Sequence, residues 1–342
     1  MIAPAELERW TQALLEASGL EAAAAETVAV SLVHANRRAV DSHGVARVPV
    51  YSERLRAGHI NRRPVPKVER EDGAVALVDA DHGPGQVAGI VATDLSIELA
   101  RRYGVGVVAV HRSSHYGAAG YYAIRAAEAG MIGMSTTNSE PFVIPYGGIG
   151  HALGTNPIAL AAPTPDGIFD TDMATSQVAV NRIFNARDEG RPIPADWGVD
   201  AQGQPTTDPG EVFAAVPLGG YKGYALAVLV EILSGVLSGA GVGHGVGRLY
   251  EDEHAQDVGH FHLALDAGRL AGRERAAEAL GRLLADLKAV PPAPGVDEVL
   301  VPGEPEARAR AERERDGIPL PPTLWATLEE LSGELGVSPP AR

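Results

Sequence analysis

The chain contains no cysteine among its 342 residues. That excludes a disulfide framework and thiolate catalysis, and it fits the cytoplasm. Positive charge is in short supply: 29 Lys and Arg stand against 44 Asp and Glu, a net charge of −15. A nucleic-acid partner needs a basic face, so that class of function is disfavoured. No long apolar run is uninterrupted. The longest, around 222–243, is cut by Gly223, Glu231, Ser234, Gly235, Ser238 and Gly239, which argues for a buried helix and against a membrane span. The opening "MIAPAELERW" lacks the charged-then-apolar pattern of a signal peptide. No internal repeat or low-complexity tract is evident.

What is present is a 45% hydrophobic composition, enough for a sizeable core, in a chain long enough for two or three domains. The first sixty residues read as helices. "PAELERWTQALLEAS" opens on Pro4 and spaces Leu7, Trp10, Leu14 and Leu15 along one helical face. "EAAAAETVAVSLVHANRRAV" and "ARVPVYSERLRAG" follow, and "NRRPVPKVERED" reads as a charged, Pro-rich connector. The texture then changes to alternating strands and helices: "AVALVDAD", "GQVAGIVATDLSIELARRYG", "VGVVAVHR", "GAAGYYAIRAAEAG" and "MIGMSTTN". Two short strands are expected around 149–176, a polar loop over 194–212, an apolar helix from Tyr221 and a strand at "HFHLALD". From about residue 273 the chain is helical again. The charge run over 304–316 reads as a solvated helix face. This organisation predicts an α/β (α+β) fold. An α/β core over 71–272 is flanked by a helical domain of 1–70 plus 273–342.

"HGPGQVA" sits between a strand and a helix, and Gly83, Gly85 and Ala88 match the dinucleotide pattern G-x-G-x-x-A. The pattern also demands an acid at the end of the next strand, to bind ribose hydroxyls. That strand ends in "AVHRSSHYG", which has none. A second match, at Gly104, Gly106 and Ala109, runs into a strand. The glycines of the first match therefore read as a tight turn.

Several stretches could carry chemistry. In "AVDSHGVARVPVY", His43 and Arg47 are four apart and would share a face if a helix starts near His43. An arginine fork grips a carboxylate in bidentate fashion, and a histidine beside it exchanges a proton near neutral pH. The bland alternative is a surface pair at a helix start. "HRSSHYGAAGYY" opens a helix whose free N–H groups suit an anion. "GTNP" offers Thr155 and Asn156, "DMATS" a carboxylate and two hydroxyls, and "GGYKGY" places Lys222 before an apolar helix. No metal site is expected; the H-x-H at 260–262 lies in a strand pattern and reads as structural.

Taken in order, "DSHGVARVPVY", "SSHYGAAGYY", "TNSEPFVIPYGG", "LGTNPIALAAP", "DMATS", "PLGGYKGYALAVLVEILSG" and "PGEPEARARAERERDGIPL" resemble the type 2 malate/L-lactate dehydrogenases nearly end to end. That family also holds ureidoglycolate, sulfolactate and 2,3-diketogulonate enzymes and cyclic imino-acid reductases. The resemblance implies a non-Rossmann, mixed-sheet core that binds a nicotinamide cofactor, NAD or alternatively NADP. It implies hydride transfer between that cofactor and C2 of a small 2-hydroxy or 2-oxo acid. It assigns His43 as the general acid/base, Ser42 as its orienting neighbour and Arg47 as the carboxylate-binding residue, with Thr155 lining the substrate pocket. It assigns cofactor contacts to His115, Tyr116, Gly117, Ala118 and Ala119, to Asp172, Met173 and Ala174, to Lys222, and to Pro302, Gly303 and Glu304. Because the family's site is built with a second subunit, it implies a homodimer. "LVEILSGVLSGAGVGHGVG", rich in small residues, gives close approach of another element some independent support. One departure stands out. Asn181-Arg182 replaces the glycine and charged residue found in many members, and the Asp that some imino-acid reductases use there is absent.

Overall fold

The computed structural model describes residues 1–250 and 254–341. Helices α1 (Pro4–Ala17), α2 (Ala22–Arg37) and α3 (Val48–Ala57) form in the three stretches read as helical. Pro4 opens α1, where no N–H is needed, and Gly58 closes α3 at φ +82°. Their buried face, including Leu7, Trp10, Leu14, Leu32 and Leu55, makes one apolar cluster. The far end of the chain completes it. Helix α10 (Pro322–Leu335) adds Leu328, and its Trp325 packs 5.2 Å from Trp10. Trp10 Nε1 donates to Ser332 Oγ at 2.9 Å, and Ile2 and Ile318 exchange backbone hydrogen bonds.

The core sheet has seven strands. In chain order they are β1 (Lys67–Asp72), β2 (Val75–Asp79), β3 (Val105–Ser113), β4 (Ile132–Thr137), β5 (Ile158–Thr164), β6 (Gly167–Met173) and, after a short two-stranded pair β7 (Gly198–Val199) and β8 (Ala214–Ala215), β9 (Val258–Leu265). The spatial order is β1-β2-β3-β9-β4-β5-β6. The β2–β3 pair is parallel, joined through α4 (Gly85–Tyr103); the other pairings in this sheet are antiparallel. This is a mixed sheet, unlike a doubly wound dinucleotide fold. The glycine turn before α4 has a packing role. A Cβ on Gly85 would lie 2.2 Å from the Ser114 carbonyl, and one on Gly83 2.4 Å from Pro64.

Three elements differ from the sequence reading. The stretch "KVERED", taken above as part of a connector, is the edge strand β1. All six of its residues are exposed, so no apolar alternation marks it. The polar loop over 194–212 contains β7. Helix α6 (Val180–Asp188) was not anticipated; only Ile183 and Ala186 are buried, too few for a clear period.

Helix α5 (Gly120–Glu128) packs on β4 and β5. Helix α7 (Tyr221–Glu231) runs into a π-helical turn over Ile232–Val236. Helix α8 (Arg273–Lys288), grouped above with the terminal helices, lies against β5, and Gly281 approaches Pro165. Helix α9 (Glu304–Asp316) buries no residue, yet its Arg313 reaches back to Asp41 at 2.7 and 2.9 Å. His260 and His262 are fully buried in β9. Their rings bond the hydroxyls of Ser113, Thr137 and Thr93. Among the described residues, no helix is long and apolar enough to cross a membrane.

Candidate active site

A cleft of about 860 Å³ opens between the helical end of the molecule and the sheet. The segment carrying His43 enters it by an unusual path. Instead of starting a helix at His43, the chain makes a 3₁₀ turn over Asp41–His43 and a second over Val45–Arg47, and α3 begins at Val48. Gly44 separates the two turns because a side chain there would strike Asn36, with Cβ 2.2 Å from its Oδ1. The expected helical i, i+4 pairing of His43 with Arg47 is therefore replaced by two successive turns. Both side chains still line the cleft.

Arg47 is held firmly, with 7% of its surface exposed. Its Nε donates to the Ser42 carbonyl at 2.8 Å and its Nη1 to the Tyr250 hydroxyl. Asn181 Nδ2 donates to the same Ser42 carbonyl at 3.3 Å. The residue flagged above as a departure thus braces this turn from α6.

His43 is half-buried, and its Nδ1 meets Ser42 Oγ at 2.9 Å. Burial, and secondarily the nearby Arg47 charge, lower its pKa from the ordinary 6.5 to about 3. Its ring stacks on that of His115 at 5.7 Å between centroids. His115 is in turn fixed by Tyr51, whose hydroxyl lies 2.6 Å from Nδ1 and accepts from Gln86 Nε2 at 3.0 Å. Burial first, then Arg47 and His43, keep His115 neutral as well.

The opposite wall comes from the sheet. Gly117, Ala118, Ala119 and Gly120 line the cleft at the start of α5, and the Gly120 N–H donates to Asp172 Oδ2 at 2.7 Å. The surrounding protein desolvates this carboxyl and raises its pKa to about 6; the Gly120 hydrogen bond works against that shift. Met173 and Ala174 continue the wall, and Pro302 and Gly303 close it from the C-terminal part of the chain. Gly303 has φ +79°, and a Cβ there would lie 2.4 Å from the Asp170 carbonyl. Thr155 lies on the third side beside Ser139, whose Oγ accepts from the Thr155 N–H at 3.1 Å.

Three of the expected site residues lie outside the lining. The Tyr116 ring is in the core, stacked 4.3 Å from His260, with its hydroxyl on Ser135. Lys222 is exposed on the first turn of α7, its ammonium 6.0 Å from the centre of the Tyr221 ring. Glu304 turns its carboxylate to Lys288 and Arg308, at 2.5 and 2.6 Å. The cleft also holds residues that the motifs did not single out: Glu140, Phe142, Tyr250, and the buried ion pair of Arg38 with Asp170 at 2.6 Å. Glu140 was within a quoted motif, and its pKa is raised by burial. Arg38 and Tyr250 carry no local signal, since only tertiary packing brings them to the cleft.

The cleft has the size of a small-molecule or cofactor site. A glycine and alanine run at the head of α5 forms part of its lining, and His34 Nε2 on its wall is buried with no hydrogen-bond partner among the described residues. These features fit an elongated ligand with polar groups.

Known proteins resemble this chain in sequence and in fold. The family model for malate/L-lactate dehydrogenase matches residues 2–329. Malate dehydrogenase of Pyrococcus horikoshii is 40% identical, over 92% of this chain and 89% of its own. Ureidoglycolate dehydrogenase (NAD(+)) of Escherichia coli O157:H7 is 38% identical, over 91% and 90%. The solved structure of sulfolactate dehydrogenase from Methanocaldococcus jannaschii superposes with a TM-score of 0.92 at 37% identity, covering 98% of both chains. The chain is an oxidoreductase and belongs to the malate/L-lactate dehydrogenase family.

Proposed function

We propose that this enzyme interconverts a small 2-hydroxy acid and its 2-oxo acid, with His43 as the acid/base and Arg47 as the carboxylate clamp. The observation that carries this reading is the seating of both side chains in one cleft, with Arg47 buried and braced and His43 held neutral beside it. Among the described residues, Ser42 and Tyr250 engage two of the five N–H groups of Arg47, which leaves three for a substrate carboxylate. With His43 Nδ1 engaged by Ser42, Nε2 is the nitrogen that takes the proton from the C2 hydroxyl or returns it to the carbonyl oxygen. A carboxylate bound at Arg47 cancels one of the two causes that lower the His43 pKa, so substrate binding itself favours the protonated form needed for reduction. Thr155, which lines the same cleft, is taken in this reading as a substrate contact.

A nicotinamide cofactor supplies or accepts the hydride when bound. The residues that would hold it are Gly117 to Gly120 at the head of α5, His115, Asp172 to Ala174, and Pro302 with Gly303. We infer NAD over NADP, since Arg38, a cation on that wall, is already committed to Asp170. We also infer a homodimer working in the cytoplasm. Leu229, Ile232, Val236 and Leu237 are exposed along α7 and its π turn, an apolar face suited to a second copy. Lys222, on the first turn of the same helix, would then complete the cofactor site from nearby.

The test follows absorbance of the reduced cofactor with pyruvate, oxaloacetate and related 2-oxo acids, comparing NADH with NADPH. His43→Ala should cost roughly 10²–10⁴ in turnover while cofactor still binds. Near-normal turnover in that variant overturns the assignment.

A further inference from the structure

We propose that Glu231 is a positioning residue for the substrate side of the cleft. It fixes the two loops that carry Ser139 and Thr155 onto the end of α7. The inference rests on the reading of the cleft given above.

Glu231 is the last residue of α7 and is 8% exposed. Among the described residues, no cation lies within ion-pairing distance of its carboxylate. Its partners are neutral N–H groups from three separate segments. Oε1 accepts from the Gly243 backbone N–H at 2.6 Å and from Asn138 Nδ2 at 3.3 Å; Oε2 accepts from Asn156 Nδ2 at 2.8 Å. Each asparagine passes the connection on. Asn138 Oδ1 accepts from Gly259 N–H at 2.9 Å, which pins the end of β4 to β9. Asn156 Oδ1 accepts from Ser139 N–H at 3.2 Å, and Ser139 Oγ accepts from Thr155 N–H. Asn156 holds φ +38°, a left-handed conformation that the surrounding bonds must stabilise. The chain bends there between Thr155, which lines the cleft, and β5.

A buried carboxylate is costly unless its lone pairs are filled. Three donors converge here on two oxygens, and only a carboxylate accepts at both. An amide has one acceptor oxygen, and its NH₂ would meet a donor. The π-helical turn begins at the next residue, and its glycine allows the approach: a Cβ on Gly235 would lie 2.9 Å from Asn138 Nδ2. The carboxylate touches no cleft surface of its own, so its effect on substrate passes through Ser139 and Thr155.

The experiment is Glu231→Gln in the full chain. The Michaelis constant for the 2-oxo acid should rise about tenfold, with that for the cofactor within about twofold. Amide hydrogen exchange at Ser139 and Thr155 should speed up, while exchange within α5 stays unchanged. Asn138→Ser, which removes one arm, should act in the same direction but less. Unchanged exchange and an unchanged Michaelis constant overturn the proposal. So does a uniform loss of stability, or failure of both variants to fold, which would mean a structural role alone. If wild-type protein reduces no 2-oxo acid, the function proposed above is wrong, and the exchange measurement still decides whether Glu231 holds the loops.

Discussion

Replacing Arg47 by lysine keeps one positive charge and removes the planar fork. The guanidinium now spends its Nε on the Ser42 carbonyl and its Nη1 on Tyr250, and offers its remaining N–H groups to the cleft. An ammonium carries three donors on one atom at the end of a flexible stem. It cannot reach the Ser42 carbonyl, the Tyr250 hydroxyl and both oxygens of a carboxylate together. At least one charge-assisted hydrogen bond to substrate is lost, worth about 1.5–3 kcal/mol. Converted at about 1.4 kcal/mol per decade, that is a rise of between about tenfold and about 150-fold in the Michaelis constant for the 2-oxo acid. The Ser42 carbonyl keeps Asn181 as a partner at 3.3 Å, so the turn itself should survive. The assay is initial-rate consumption of reduced cofactor against 2-oxo acid concentration. Arg310→Lys is the control, because Arg310 is exposed on α9, outside the cleft lining, and pairs loosely with Glu314 at 3.9 Å. If Arg47→Lys moves the constant no more than Arg310→Lys does, the carboxylate clamp is refuted.

Acid should destabilise the fold through its core histidines. His262 has a pKa lowered by burial to about 3, below the 6.5 of the unfolded chain. Between those values the unfolded chain binds the proton and the folded one does not. Stability therefore falls as pH falls, by about 1.4 kcal/mol per unit for this residue. His262→Asn should flatten that dependence in urea titrations between pH 7 and 5, and an unchanged slope refutes the account. Leu237→Glu puts a charge on the exposed apolar face at the end of the π turn; if this face makes the proposed homodimer, sedimentation should show a monomer where the unaltered chain sediments as a dimer. A dimer that survives the change places the subunit contact elsewhere.

Legibility in the sequence followed burial. Helix α1 buries one face, and the spacing of Leu7, Trp10, Leu14 and Leu15 marked it; α2 and α3 followed it as helical stretches. Strands β2, β3 and β9 are apolar runs in the middle of the sheet and were equally plain. Strand β1 is the counter-case. As an exposed edge it has no inward face to write into the sequence, and its alternating charges look like a linker. Of the candidate site, most of the residues named from motifs line the cleft, though Tyr116, Lys222 and Glu304 do not, and the geometry of their turns was not readable. A reader of "SHGVAR" expects a helix, because nothing in the six letters says that Asn36, from the preceding helix, blocks any side chain at Gly44. Tyr250 and Arg38 are harder still, since what brings them to the cleft is the packing of distant segments. The H-x-H of β9 shows the reverse situation. The two histidines read as part of a strand, and in β9 both rings meet core hydroxyls.

The closure of the terminal helical cluster by α10 has a consequence for how the chain comes into being. Helices α1 to α3 are made first, yet Ile318, Trp325 and Leu328, which cover them, are translated some 260 residues later. At ribosomal speeds of about 5–20 residues per second, the wait is on the order of ten to fifty seconds. Throughout it Trp10 and its neighbours lack their final cover. The nascent N-terminal segment is therefore a natural client for chaperones, and the sheet can form before the cluster whose sequence precedes it is sealed.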